Sequence, residues 1–192
     1  MARKVEFRPD PQSGSLLSKL YITPAQRRSI LKWSLYSLVF LVVLVLQDVI
    51  FSRVHLLFGR TDLVPLTLIL ICVLEGAESG SVFVLLCSTV YLFSGSAPGA
   101  YVIALLTLVS VVFSWLRYSY LRKSLSAAWL CTGLGILCYE MAMLVLGMLL
   151  GLTHAGRFYI FLGTAFWSAL FVPFLHPLLQ AICAIGGESW KE

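Results

Sequence analysis

Six apolar runs, about residues 30–46, 62–74, 81–93, 99–116, 127–152 and 158–185, follow one another along this chain with only short polar breaks between them. Each run must face either a core or hydrocarbon, and six of them exceed what a soluble domain of 192 residues can enclose. The chain is 59% hydrophobic and 12% charged. An average soluble domain is about 45–50% apolar and about 25% charged, so too few charges remain here to cover the apolar surface. The expected fold class is an all-α integral membrane protein with about six transmembrane helices.

The second and third runs are short. Their apolar cores correspond to roughly 18–20 Å of helix, against a hydrocarbon core of about 30 Å. They read as a helical hairpin that either crosses with the help of polar ends or re-enters. The fifth and sixth runs are long enough to cross with tilt, and Pro173 and Pro177 predict a kink in the sixth. Residues 49–58 read as an interfacial segment or an extension of the first helix.

Charge divides the chain into three parts: a basic, largely flexible tail (1–28), a polytopic membrane domain (29–186) and a short C-terminal tail (187–192). Residues 1–32 hold seven Lys or Arg against Glu6 and Asp10, and the other 160 residues balance to zero. A basic tail of this kind orients a membrane protein and attracts anionic lipid. Nucleic acid is not an expected partner, because the basic residues lack an aromatic platform or a recognised motif. No cleavable signal peptide is expected, since the first apolar run follows a long polar stretch. Thr23-Pro24-Ala25-Gln26 reads as a capping box that starts the first helix.

With the N-terminus inside, eleven Lys or Arg fall on the inner side and three on the outer. The positive-inside rule then places both termini in the cytoplasm. Trp33, Trp115, Trp129 and Trp190 fall near the inner ends, as an aromatic belt requires.

Glu140, in CYEMAM, sits midway along the fifth run, where an ionisable group is costly and faces the bundle interior. It reads as polar glue to another helix, through Tyr139, His176 or a Ser or Thr, or as a partner contact, ahead of a proton or ligand site. His176, between Pro173 and Pro177, reads as the donor to a carbonyl that a proline has freed, with pairing to Glu140 the alternative. In CVLEGAESGSVF, Glu75 and Glu78 flank Gly76 at a tight turn. They are expected to reach water or a cytoplasmic partner there. Gly76-x-x-x-Gly80 and Gly147-x-x-x-Gly151 match the close-packing pattern of membrane helices. Thr67, Ser88, Thr89, Thr107, Ser110, Thr132, Thr164 and Ser168 read as interhelical hydrogen bonders.

The five cysteines read as small hydrophobes. The three histidines lack metal-binding spacing, and no nucleophile elbow, P-loop or dinucleotide fingerprint is present. No cofactor and no enzymatic activity are expected.

Several residues in order carry a family resemblance. Leu46-Gln47 closes the first helix, and Gly59-Arg60-Thr61-Asp62-Leu63 opens the second. Glu75-Gly76 with Gly80 follows, then Phe93-Ser94-Gly95-Ser96-Ala97-Pro98-Gly99, a helix ending in Leu116-Arg117, and Tyr139-Glu140. Over about residues 38–185 the chain resembles MreD, the polytopic membrane subunit of the bacterial rod-shape (elongation) machinery. It departs from that family at Thr61, where Pro is common, and at Val90-Tyr91, where an aspartate is common.

The resemblance implies a non-enzymatic scaffold in the bacterial cytoplasmic membrane that binds MreC, a single-pass protein. Through MreC it would connect to the actin-like MreB, a RodA-type glycan polymerase and a class B penicillin-binding protein. It also implies a fold like that of the S-components of energy-coupling-factor transporters. The alternative function is therefore a substrate-binding subunit of a vitamin transporter, although the first run has no small-residue docking face. The candidate structural or partner-contact residues are Glu140, Tyr139, His176, Asp62, Glu75, Gly76, Glu78, Gly80, Gly95, Pro98, Gly99, Pro173 and Pro177.

Overall fold

The computed structural model describes residues 24–51, 59–120 and 124–185, and every regular element among them is helical. Residues 1–23, 52–58, 121–123 and 186–192, with Thr23 and Trp190 among them, lie outside the described residues, whereas residues 24–28, assigned above to the flexible tail, are helical. Helix α1 (Pro24–Leu46) begins at the proline whose fixed φ suits a first helical position, and a π-helical turn, Gln47–Phe51, extends it. Then follow α2 (Leu63–Glu75), α3 (Ala77–Phe93), α4 (Tyr101–Tyr120) and α5 (Leu125–Leu149). A 3-10 turn, Ala155–Arg157, leads to α6 (Phe158–Ala169) and α7 (Val172–Ile185).

The bundle is organised around α2. Every residue of this helix is buried, and it packs against each of the other α-helices. A helix that is apolar all round belongs in a core. Its shortness follows from that place: α2 is the central post of the bundle, and its ends meet polar groups of the protein. Gly76, at φ 96°, is the one-residue corner between α2 and α3. Gly80 lets the two helices close, because a Cβ there would stand 2.7 Å from the Cys72 Cα. The expected helical hairpin is present.

The outer surface is apolar. Leu38 and Val45 on α1, Val82 and Leu86 on α3, and Leu108 on α4 are all more than half exposed. Among the described residues, three helices are long and apolar enough to cross a membrane: α1 with its turn, α4 and α5. The bent pair α6–α7 makes a fourth if it is one span, whereas α2 and α3 are shorter apolar helices. By length and composition the described residues thus supply three or four of the six expected spans, and α2 and α3 are the two short runs.

The sixth run bends by 48° at Leu170–Phe171. Proline explains the break. Pro173 has no N–H to return to the Ala169 carbonyl, so the helix stops there and α7 restarts with Pro173 in its first turn. Pro177 stays inside α7.

The second small-residue pair is corrected. Gly151, at φ 70°, follows the end of α5, and the Gly147 carbonyl accepts from the backbone N–H groups of Leu152 and Thr153. Gly147 and Gly151 therefore terminate a helix and do not form a helix-packing face. Cys72, Cys87 and Cys131 are buried as expected, but Cys138 is exposed.

Candidate functional site

Two polar layers cross the interior, one at each end of α2. The first surrounds the Gly76 corner. Lys32 lies on the inward face of α1 and donates from Nζ to Glu75 Oε2 at 2.6 Å. Tyr36, one turn further on the same face, donates to Glu75 Oε1 at 2.7 Å and approaches the Leu179 carbonyl of α7 at 3.3 Å. Trp33 and Phe83 stack beside them, with ring centroids 5.3 Å apart, and the Lys32 ammonium stands 5.2 Å from the Trp33 ring.

Helix α4 completes this layer. Ser114 donates to the Cys72 carbonyl and Arg117 to the Val73 carbonyl, each at 2.8 Å. These are terminal carbonyls of α2, and a cation suits that negative end of the helix dipole.

Glu75 is thus 5% exposed and ion-paired. The expectation that it reaches water is corrected: a charge on the central helix is carried inward, and Lys32 follows it. Glu78, beyond the corner, is exposed as expected.

The second layer lies at the other end of α2, near Gly95. Gln47 turns inward from the π-helical turn, accepts from Val64 N–H at 2.7 Å and reaches the Tyr91 hydroxyl at 3.4 Å. It supplies the N-terminal cap of α2 from another helix. Asp62 occupies the cap position without making a side-chain cap bond. Its carboxyl meets Glu140 of α5, and its N–H donates to Ser168 Oγ at 2.9 Å.

Arg60 N–H donates to Thr164 Oγ1 at 3.2 Å. Gly59 permits that approach, since a Cβ there would stand 2.5 Å from the Thr164 nitrogen. Asp48 accepts from Ser96 Oγ at 2.7 Å, fixing the Gly95–Gly99 loop, where Gly95 turns at φ 78° and Pro98 is exposed. Gly99 leaves room for the Tyr101 ring, which a Cβ would approach to 2.5 Å.

Glu140 is 3% exposed and Tyr139 2%. Both belong to the interior, as their depth in the fifth run predicts. Glu140's partner is Asp62, and His176 lies elsewhere, within the field of Arg117 at the Gly76 end. His176 is buried, and its Nδ1 has no hydrogen-bond partner among the described residues. The carbonyl that Pro173 frees is instead taken by Trp129 of α5, whose Nε1 donates to the Ala169 oxygen at 3.0 Å.

Most of the named hydroxyls bond within their own helix. Thr67, Ser88, Thr89, Thr107 and Thr164 donate to carbonyls three or four residues back. Among the described residues, Thr164 and Ser168 accept from backbone N–H groups of the segment before α2. Ser110 Oγ and Thr132 Oγ1 are buried without partners among the described residues.

Outside these layers, an apolar groove of about 900 Å³ runs between α5 and α6. Trp129, Leu137, Tyr159 and Phe166 line it together with Gly133 and Gly163. Sequence reasoning missed Lys32, Tyr36, Gln47 and this groove. The spacing of Lys32 and Tyr36, which puts both on one helix face, was the available signal. No three His, Cys, Asp or Glu side chains among the described residues are grouped to hold a metal.

The arrangement defines an all-helical protein with the apolar helices of a membrane protein and its polar groups turned inward. No family model, curated protein or solved structure matches the chain.

Proposed function

We propose that this chain is a non-enzymatic scaffold of the MreD kind in the bacterial cytoplasmic membrane, with both termini on the cytoplasmic side. It binds a single-pass MreC-like protein. Through that partner, beside MreB, a RodA-type polymerase and a class B penicillin-binding protein, it helps control cell shape and peripheral peptidoglycan synthesis. The observation that supports this reading is the apolar groove between α5 and α6. In lipid, helix association depends on close packing over small residues, and Gly133 and Gly163 allow that approach. The polar side chains, in contrast, are largely engaged inside the bundle. A scaffold needs this division between an internally bonded interior and an apolar contact face.

Gly133→Phe tests the groove. A Cβ at Gly133 has its nearest neighbour at 3.8 Å, so the substitution fills the groove without a backbone clash. The expected result is an unchanged unfolding temperature with at least tenfold less MreC-like partner recovered on co-purification. Equal recovery from an equally stable variant would remove the groove from the account.

A further inference from the structure

Glu140 is 3% exposed, and its Oε1 meets no hydrogen-bond donor among the described residues. The carboxyl's contact is the side chain of Asp62, within hydrogen-bond reach. Two ionised carboxylates have only acceptors, so a hydrogen bond between them requires one proton. Both groups lie in the polar layer near Gly95, on different elements: Glu140 on α5, Asp62 on the segment that opens α2. We propose that Asp62 and Glu140 form a proton-binding site, in which one exchangeable proton shared by the two carboxyls holds α5 against the start of α2.

The surroundings fit a single proton. Within electrostatic range of the pair are Tyr91 from α3, Tyr139 from α5 and Arg60 from the segment before α2. Tyr91 is in turn reached by Gln47 and lies in the field of Asp48, both from the turn after α1, and Tyr139 lies near Tyr101 of α4. Ser168 of α6 accepts from the Asp62 N–H. Arg60 is the cation among them, and Asp48 adds a further acidic group to the set. A second negative charge would face no further cation in this set.

Asp62 is half-buried while Glu140 is enclosed, so the proton exchanges with water at the Gly95 end by way of Asp62. The contribution to stability is complete while the proton is bound and is lost as pH rises and the proton leaves. In Glu140→Gln, the amide N–H donates to Asp62 at every pH and replaces the proton.

The test combines infrared spectroscopy and thermal unfolding of the purified full chain in detergent, from mildly acidic to alkaline pH. The wild type is expected to show a protonated-carboxyl stretch at acidic pH. That stretch should vanish on alkalinisation together with a fall of several degrees in unfolding temperature. Glu140→Gln should lack both the stretch and the fall. Asp62→Asn should behave the same way and serves if the first variant does not fold. Absence of the stretch at acidic pH, its persistence at all pH values, or a wild-type pH slope in the amide variants would each overturn the proposal.

Discussion

Lys32→Met should cost the protein a large share of its stability, and adding Glu75→Leu should give it back. In the wild type, Nζ of Lys32 stands 2.6 Å from Glu75 Oε2, with the two side chains 9% and 1% exposed. Removing the cation strands a carboxylate on the central helix, a loss of about 3–5 kcal/mol for a buried pair broken on one side. Tyr36 still donates to the other oxygen, which places the expected loss at the lower end. At about 2–4 °C per kcal/mol for a chain of this size, a loss of about 3 kcal/mol lowers the unfolding temperature by about 6–12 °C.

The double variant removes both charges while keeping similar volume. Tyr36 then retains the Leu179 carbonyl as acceptor. Replacing a whole buried ion pair by apolar groups is neutral or stabilising by about 1–4 kcal/mol, so the double variant should unfold at or above the wild-type temperature. Tryptophan fluorescence in detergent micelles follows the transition, because Trp33 packs directly beside the pair. A wild-type unfolding temperature in Lys32→Met, or a double variant weaker than the single one, would refute the reasoning.

Two further substitutions probe the frame. Gly80→Leu should destabilise the α2–α3 hairpin, since its Cβ would meet the Cys72 backbone at 2.7 Å. Overpacking of this kind costs about 1–3 kcal/mol or more, readable as a lowered unfolding temperature. Trp129→Phe leaves the Ala169 carbonyl without its donor and should cost about 1 kcal/mol, seen as a small drop in the same assay, with the bend at Leu170 retained in a structure of the variant.

Local patterns made the apolar helices, the Gly76 corner and the proline break legible in the sequence. Each depends on a few neighbouring residues: a positive-φ glycine, a missing N–H, a continuous apolar run. Glu140 was also legible, because depth along a long run is a one-dimensional quantity. Its partner was not, since Asp62 reaches it only after α2 is enclosed by the bundle. Glu75 was misjudged for the same reason. Beside a glycine turn a glutamate looks solvated, and only the approach of α1, which brings Lys32 and Tyr36, buries it. Gly147-x-x-x-Gly151 shows a different limit: one spacing serves both helix packing and helix termination, and backbone φ decides between them.

The central claim, a scaffold for an MreC-like protein, meets its most direct test in co-expression. The chain is produced once with an MreC-like single-span protein and once with an energy-coupling ATPase module, and each sample is purified through a tag on the chain. The account predicts a stable complex with the MreC-like protein and none with the ATPase module. A stable complex with the ATPase module, and none with the MreC-like protein, would contradict it.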